Sequence, residues 1–199
     1  MYYKRNLEEK IKKYLFVKET IAIVGIRQCG KTTLMKKIAD NISEEKKINF
    51  ISFDDVSILQ LFEEDIDSFI QLHVKSFDFL FIDEIQYSAE SGRKLKFIFD
   101  HHYIKMIISG SSAAEISIQS LKYMVGRIFT FRLYPFAFNE FLRVKDQKLL
   151  AVYESGNYKT TLVNQINKHL REFLRYGGFP RVVIAEKYDE KELILKNIY

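Results

Sequence analysis

The chain has 199 residues, 47% of them hydrophobic and 29% charged, with a formal net charge of +5. That balance belongs to a globular domain with one sizeable core, or one core and a small appendage, and it excludes a disordered or collagenous chain. No apolar run is long enough to span a bilayer, the charged start MYYKRNLEEK lacks the apolar stretch of a secretory signal, and the single cysteine, Cys29, excludes an intrachain disulfide. A cytoplasmic location, with no membrane partner, is the expectation. Residues 1–142 carry 20 basic and 19 acidic side chains and residues 143–199 carry 11 and 7, so the positive excess lies near the C-terminus, where it reads as a solvated helical face.

In chain order, Leu7, Ile11, Tyr14 and Leu15 recur at helical spacing and predict a leading helix over 6–18. Thr20–Val24 is a compact β-branched run, a buried strand that breaks at Gly25. Helical spacing resumes at Lys31 with Leu34, Met35 and Ile38. A second strand is expected over Ile48–Phe53, one long helix over 56–74, and a third strand over Phe77–Ile82 ending in Asp83–Glu84. A helix over 92–102 precedes a fourth strand, Ile104–Ile108, ending in Ser109–Gly110–Ser111–Ser112; Arg127–Leu133 is the fifth. From Pro135 the pattern turns helical, over 136–142, 161–176 and 189–198, with a turn at Gly177–Gly178–Phe179–Pro180. The helical pattern still runs at Tyr199 without a capping signal, so a longer parent chain is expected. Strands alternating with helices give an α/β fold, a parallel sheet covered on both faces, with ligands at the carboxyl ends of its strands.

Residues 25–32 read GIRQCGKT, a complete G-x-x-x-x-G-K-[ST] loop between a strand and a helix. Gly25 and Gly30 permit the tight turn; the backbone of Gly25, Ile26, Arg27, Gln28, Cys29, Gly30, Lys31, Thr32 and Thr33 can present N–H groups to phosphates at a helix N-terminus. Lys31 is assigned to the β- and γ-phosphates of a nucleotide and Thr32 to Mg²⁺. Asp83 is the second expected magnesium-side ligand, and Glu84 the general base that polarises an attacking water. A kinase, whose nucleophile is its substrate, has less use for that glutamate, so the pair points to hydrolysis.

Ser109 and Ser111 can each contact the γ-phosphate and the water, or be plain polar turn residues; Gln86 can support the same water. The guanine-specific N-K-x-D motif is missing, since the only Asn-Lys is Asn167-Lys168-His169-Leu170, so adenine is favoured and ATP is the expected cofactor with Mg²⁺. Arg5 either approaches the base and ribose or is a surface arginine. Arg127 either neutralises transition-state charge, in cis or from a neighbouring subunit of a homo-oligomer, or forms a structural ion pair. Cys29 is either a tolerated loop position or a thiol whose modification blocks phosphate binding.

GIRQCGKTTL, FLFIDEIQY, IISGSSAAEIS, the stretch from Gly126-Arg127 to LYPFAFNEFL, and YGGFPRVV occur in this order. Together they resemble the archaeal and bacterial AAA-like P-loop ATPases of the archaeal-ATPase family, in the class with an additional strand and a catalytic glutamate. The resemblance runs from about Arg5 to Val183. It implies a three-layer P-loop core with strand order 5-1-4-3-2, a small C-terminal helical lid after Pro135, and a polar sensor at Ser109 or Ser111. The expected division is thus a P-loop core over 1–134 and a helical lid over 135–199. Relatives in that family continue into winged-helix and nuclease-like segments, through which DNA or a protein partner is expected to act. A slow, nucleotide-controlled switch is the alternative to a working ATPase.

Overall fold

The structure, a computed structural model, describes residues 2–111, 121–156 and 159–198. The elements in chain order are α1 (Asn6–Lys12), β1 (Thr20–Gly25), α2 (Lys31–Ile42), β2 (Ile48–Ser52), α3 (Val56–Glu64), α4 (Ile66–His73), β3 (Phe79–Asp83), α5 (Ser91–His101), β4 (Lys105–Ser111) and β5 (Ile128–Arg132). They continue with α6 (Phe138–Lys145), α7 (Gln147–Ser155), α8 (Thr160–Tyr176), α9 (Pro180–Ile184) and α10 (Tyr188–Lys196); short 3₁₀ turns lie at Ile85–Tyr87 and Leu121–Met124. No helix among the described residues is long and apolar enough to cross a membrane.

The chain divides into two compact units. The larger comprises Leu7–Ile26 and Lys31–Leu133. Its five strands form one sheet in the order β2-β3-β4-β1-β5, with every pairing parallel. This is the expected 5-1-4-3-2 order read from the other edge. The three inner strands are buried at every position, whereas the edge strands β2 and β5 are only partly covered. Continuous apolar runs such as FLFI are what burial on both faces demands.

One face of the sheet contributes Ala22, Leu80, Ile82, Met106 and Ile108 to a core shared with Phe62, Phe69, Ile70, Leu95 and Ile98 of α3, α4 and α5. Ile21, Ile23, Phe81 and Ile107, on the other side of the pleat, are equally buried, and α2 packs on the same three strands with Leu34, Met35 and Ile38.

The smaller unit comprises Met1–Asn6, Arg27–Gly30 and Tyr134–Tyr199. Phe136, Phe141, Leu142, Leu149, Leu150, Ile166 and Val183 form one apolar cluster, and Tyr176, Phe179, Val182, Ala185 and Ile194 another. Lys191 is buried and bonded to Glu172 (3.0 Å) and to the Val182 carbonyl (3.1 Å).

Several boundaries differ from the sequence expectation. The leading helix stops at Lys12, because the carbonyls of Tyr14, Val17 and Glu19 turn to accept from the Lys105 ammonium. The expected helix over 56–74 is two helices broken at Asp65, whose carboxylate accepts from the Ser68 N–H at 3.0 Å and caps α4. β4 runs on through Ser109–Gly110–Ser111, which read as its exit loop, since Ser111 stays in register beside Gly25. The segment 147–155, unassigned from sequence, is α7, capped by Asp146 at the Leu149 N–H. Pro180 opens α9 at the helical position where its missing N–H costs nothing.

Candidate functional site

Within the sheet unit, the parallel strands bring Gly25, Asp83 and Ser109–Ser111 to the same edge of the sheet. Gly25 pairs with Ser111 and Ile82 with Ile108 across neighbouring strands. The site residues cluster there because parallel strands all present their carboxyl ends on the same side of the sheet, however far apart they are in sequence.

The loop after β1 contains two left-handed residues, Gln28 at φ 62° and Gly30 at φ 98°. Gly30 holds its conformation without strain; Gln28 does not, and a non-glycine residue there is held by its surroundings. Ile26, Arg27 and Gln28 are exposed, Cys29 is fully buried, and Thr33 is exposed on the first turn of α2. Lys31, only 5% exposed, donates its ammonium protons back to the loop carbonyls of Gly25 (3.1 Å) and Ile26 (3.2 Å).

Asp83 is the centre of the polar network. Its carboxylate accepts from the Thr32 hydroxyl at 2.6 Å, from the Ser109 hydroxyl, and from the Glu84 N–H at 3.2 Å. Thr32 is 51 residues away in sequence and Ser109 is 26. Ser109 also accepts from the Glu84 N–H at 3.3 Å. Two hydroxyls and a carboxylate supply only hard oxygen donors, the set that suits Mg²⁺.

Glu84 is left-handed, at φ 56° and ψ 45°. The bend stops β3 and sends Glu84 away from the strand direction. Its carboxylate accepts from the Gln86 amide, whose carbonyl oxygen accepts from the Ser111 N–H at 3.1 Å. Gln86 therefore braces Glu84 against β4, a more definite place than the water-supporting role read from sequence. The Ser111 hydroxyl is buried and has no hydrogen-bond partner among the described residues. Residues 112–117 of the IISGSSAAEIS stretch lie outside the described residues.

One expected residue stands elsewhere. Arg127 directly precedes β5, and its carbonyl accepts from the Thr20 N–H at 2.8 Å, so it lies at the amino edge of the sheet. That is a full strand length, about 16 Å, from the edge bearing Gly25 and Asp83. Its guanidinium pairs with Asp100 at 2.8 Å, and this hydrogen bond holds the Asp100 carboxyl below the ordinary carboxylate range. The structure does not bring Arg127 to the carboxyl edge of its own sheet; at the amino edge it pairs Arg127 with Asp100.

Arg5 is not a surface arginine: it is 4% exposed. In the smaller unit its Nε donates to Glu140 (3.0 Å), Nη1 to the Cys29 carbonyl (2.9 Å) and Nη2 to the Tyr134 carbonyl (2.6 Å), while the guanidinium lies 4.7 Å from the Phe136 ring centroid. Glu140 further accepts from the N–H groups of Asn6 and Ala137. Sequence reasoning passed over Glu140. The only local signal was its place three residues into α6, where a glutamate reaches back to the helix start.

Comparison with known proteins bears on the same residues. The sequence is 27% identical over 176 residues to Uncharacterized protein MJ1544 of Methanocaldococcus jannaschii, covering 87% of this chain and 38% of that protein. It is 29% identical to Uncharacterized protein MJ1637 of the same organism, covering 96% and 44%. The chain thus spans about two-fifths of the length of the curated relatives it matches. The fold is similar to that of replication initiator DnaA bound to AMPPCP and single-stranded DNA, with a TM-score of 0.60 at 17% identity over 100% of this chain and 63% of that one. It is also similar to Pif1 helicase from Candida albicans, with a TM-score of 0.50 at 15% identity over 88% and 48%. These identities establish a shared fold alone. Residues 17–142, which contain the loop, the Asp83–Glu84 pair and the Ser109 strand end, match the AAA domain family; with more than half of its length inside that match, the chain belongs to the AAA domain family.

Proposed function

We propose that this chain binds ATP with Mg²⁺ on the loop Gly25–Thr32 and hydrolyses it with water activated by Glu84, as a member of the archaeal-ATPase branch in the catalytic-glutamate class. The observation that carries the reading is the 2.6 Å hydrogen bond from Thr32 to Asp83. It joins the residue after the loop lysine to the strand-end carboxylate, the two groups a phosphate-bound magnesium needs side by side. Mg²⁺, when bound, neutralises phosphate charge and polarises the γ-phosphoryl group.

The roles of the chain's own groups follow. Lys31, hydrogen-bonded to loop carbonyls, can turn its ammonium donors to β- and γ-phosphate oxygens that enter the loop. Gly30 lets the backbone approach the phosphates closely. Asp83 and Thr32 hold the metal side, and Ser109 fixes the Asp83 carboxylate. Glu84 accepts the proton of the attacking water, with its position set by Gln86. Residues 135–199 take the role of the helical lid in this reading, and ATP turnover is coupled to DNA or a protein partner.

One observation favours a second reading. The Glu84 carboxylate is engaged by the Gln86 amide, so one of its oxygens is already held by a protein partner and not left to an attacking water. A slow switch that stays ATP-bound and regulates a partner fits that arrangement.

Steady-state phosphate release together with equilibrium ATP binding tests the proposal. Glu84→Gln should lose turnover by at least about 100-fold, the scale of general-base catalysis, while keeping ATP affinity. Lys31→Ala should lose ATP affinity under both readings. Unchanged turnover in Glu84→Gln would sink the base assignment, and slow wild-type turnover that rises in Gln86→Ala would favour the switch. Stimulation by DNA with a steep salt dependence is the signature of DNA coupling.

A further inference from the structure

We infer that Arg5 is a positioning residue for the phosphate loop, a clamp that fixes the Cys29–Gly30 peptide and ties it to Glu140. This inference rests on the proposal that the loop binds nucleotide.

The starting point is the acceptor that Arg5 uses. Its Nη1 donates to the carbonyl of Cys29, inside the loop, at 2.9 Å. A trans peptide is planar, and its C=O and N–H point in opposite directions. Holding the Cys29 carbonyl toward Arg5 therefore directs the Gly30 N–H away from Arg5. Gly30 can accept this plane because its φ of 98° suits glycine. The Arg5 Nη1 also lies 3.5 Å from where a Gly30 Cβ would stand, so the guanidinium occupies the space beside that residue.

The clamp is stiff because every arm of the fork is used. Nε is paired with Glu140, Nη2 with the Tyr134 carbonyl, and the guanidinium plane rests on Phe136. Glu140 is itself held by the N–H groups of Asn6 and Ala137. One buried ion pair thus joins the chain start, the loop and the beginning of α6 within the smaller unit. The rigid planar fork of arginine reaches its three acceptors from three separate nitrogens; lysine carries its donors on one nitrogen and cannot span the same three positions. Each of the three guanidinium nitrogens donates to a protein acceptor, so the side chain is fixed against the loop.

The test compares wild type with Arg5→Lys, which preserves the positive charge, and with Glu140→Gln, which preserves size. Equilibrium MgATP binding and the amide NMR signal of Gly30 are measured on folded protein, with the wild-type Arg5 Nε–H signal followed during ATP titration. The inference expects a roughly tenfold or greater loss of ATP affinity in Arg5→Lys, the scale of one charge-assisted hydrogen bond. It also expects a displaced Gly30 amide signal in the nucleotide-free variant, with the strand signals unmoved, and an Arg5 Nε–H signal in wild type that shifts on saturation. Wild-type affinity in a folded Arg5→Lys or Glu140→Gln protein overturns it. If neither variant folds, an Arg5 signal that does not respond to ATP overturns it. Failure of wild type itself to bind ATP is a different result and sinks the nucleotide reading instead.

Discussion

At the scale of single residues, the candidate site is marked by conformations that ordinary sequence rules avoid. Gln28 and Glu84 are the two non-glycine residues with positive φ among those described. A left-handed glutamate costs about 1 kcal/mol or more, and the cost persists because the surroundings impose it. Glu84→Gly should therefore raise stability by roughly 0.5–1 kcal/mol while abolishing turnover, because glycine adopts the same φ without strain. Paired chemical denaturation and phosphate-release assays check this, and a destabilised Glu84→Gly protein would show that the bend is not strained. The loop, Lys31 and the Asp83–Glu84 pair were legible because motif and strand context are local. The brace from Gln86 was only half legible. A glutamine two positions after a glutamate carries no pattern, and its meaning comes from the Ser111 N–H on another strand.

At the scale of elements, breaks and starts are decided by single polar residues. Asp65 splits one apolar periodic stretch into α3 and α4, because it stops the first helix and caps the second. The hydrophobic spacing over 56–74 continues through the break, so periodicity alone could not detect it. Ser68 hydrogen bonds hold the Asp65 carboxyl below its ordinary value. The stabilisation from that cap is present above the usual carboxylate range and is lost as pH falls through the lowered value. Gly178 shows a different constraint. A Cβ there would stand 2.1 Å from the Phe136 carbonyl oxygen, and the Phe136 N–H donates to the Gly178 carbonyl at 2.6 Å. Gly178→Ala should destabilise the protein by at least about 2 kcal/mol, since backbone must move to relieve the overlap. A thermal or urea denaturation curve measures it, and a change below about 0.5 kcal/mol would mean that the two backbones do not need to touch.

At the scale of the whole molecule, the parallel sheet assigns different work to its two edges. The carboxyl edge gathers Gly25, Asp83, Ser109 and Ser111. The amino edge holds Arg127 with Asp100, and Lys105, whose ammonium serves the carbonyls of Tyr14, Val17 and Glu19. Burial pulls the Lys105 pKa down to about 8, against the opposing influence of the Glu19 carboxylate. The sign follows from proton counting. Between about 8 and the ordinary 10.5 the unfolded chain holds a proton at this site that the folded chain has released, so Lys105 makes stability rise with pH across that window. Below pH 8 both states are protonated and the contribution is flat. Denaturation midpoints measured from pH 7 to 10.5 should show a rising component that Lys105→Met removes; an identical pH profile in the two proteins would refute the assignment.

The sequence by itself determined the phosphate loop, the acidic pair, the alternation of strand and helix, and the change to helices after Pro135. Each of these is written in short-range chemistry: glycine spacing, a lysine beside a threonine, apolar runs of strand length. Tertiary structure alone decided that Thr32 meets Asp83 across 51 positions, that Gln86 braces Glu84, that Arg127 lies a strand length from the carboxyl edge of the sheet, and that Arg5 is buried with its guanidinium on Cys29 and Glu140. A side chain's partner is set by which strand ends and helix starts the topology brings together, and an isolated arginine or glutamine carries no trace of that in its neighbours along the chain.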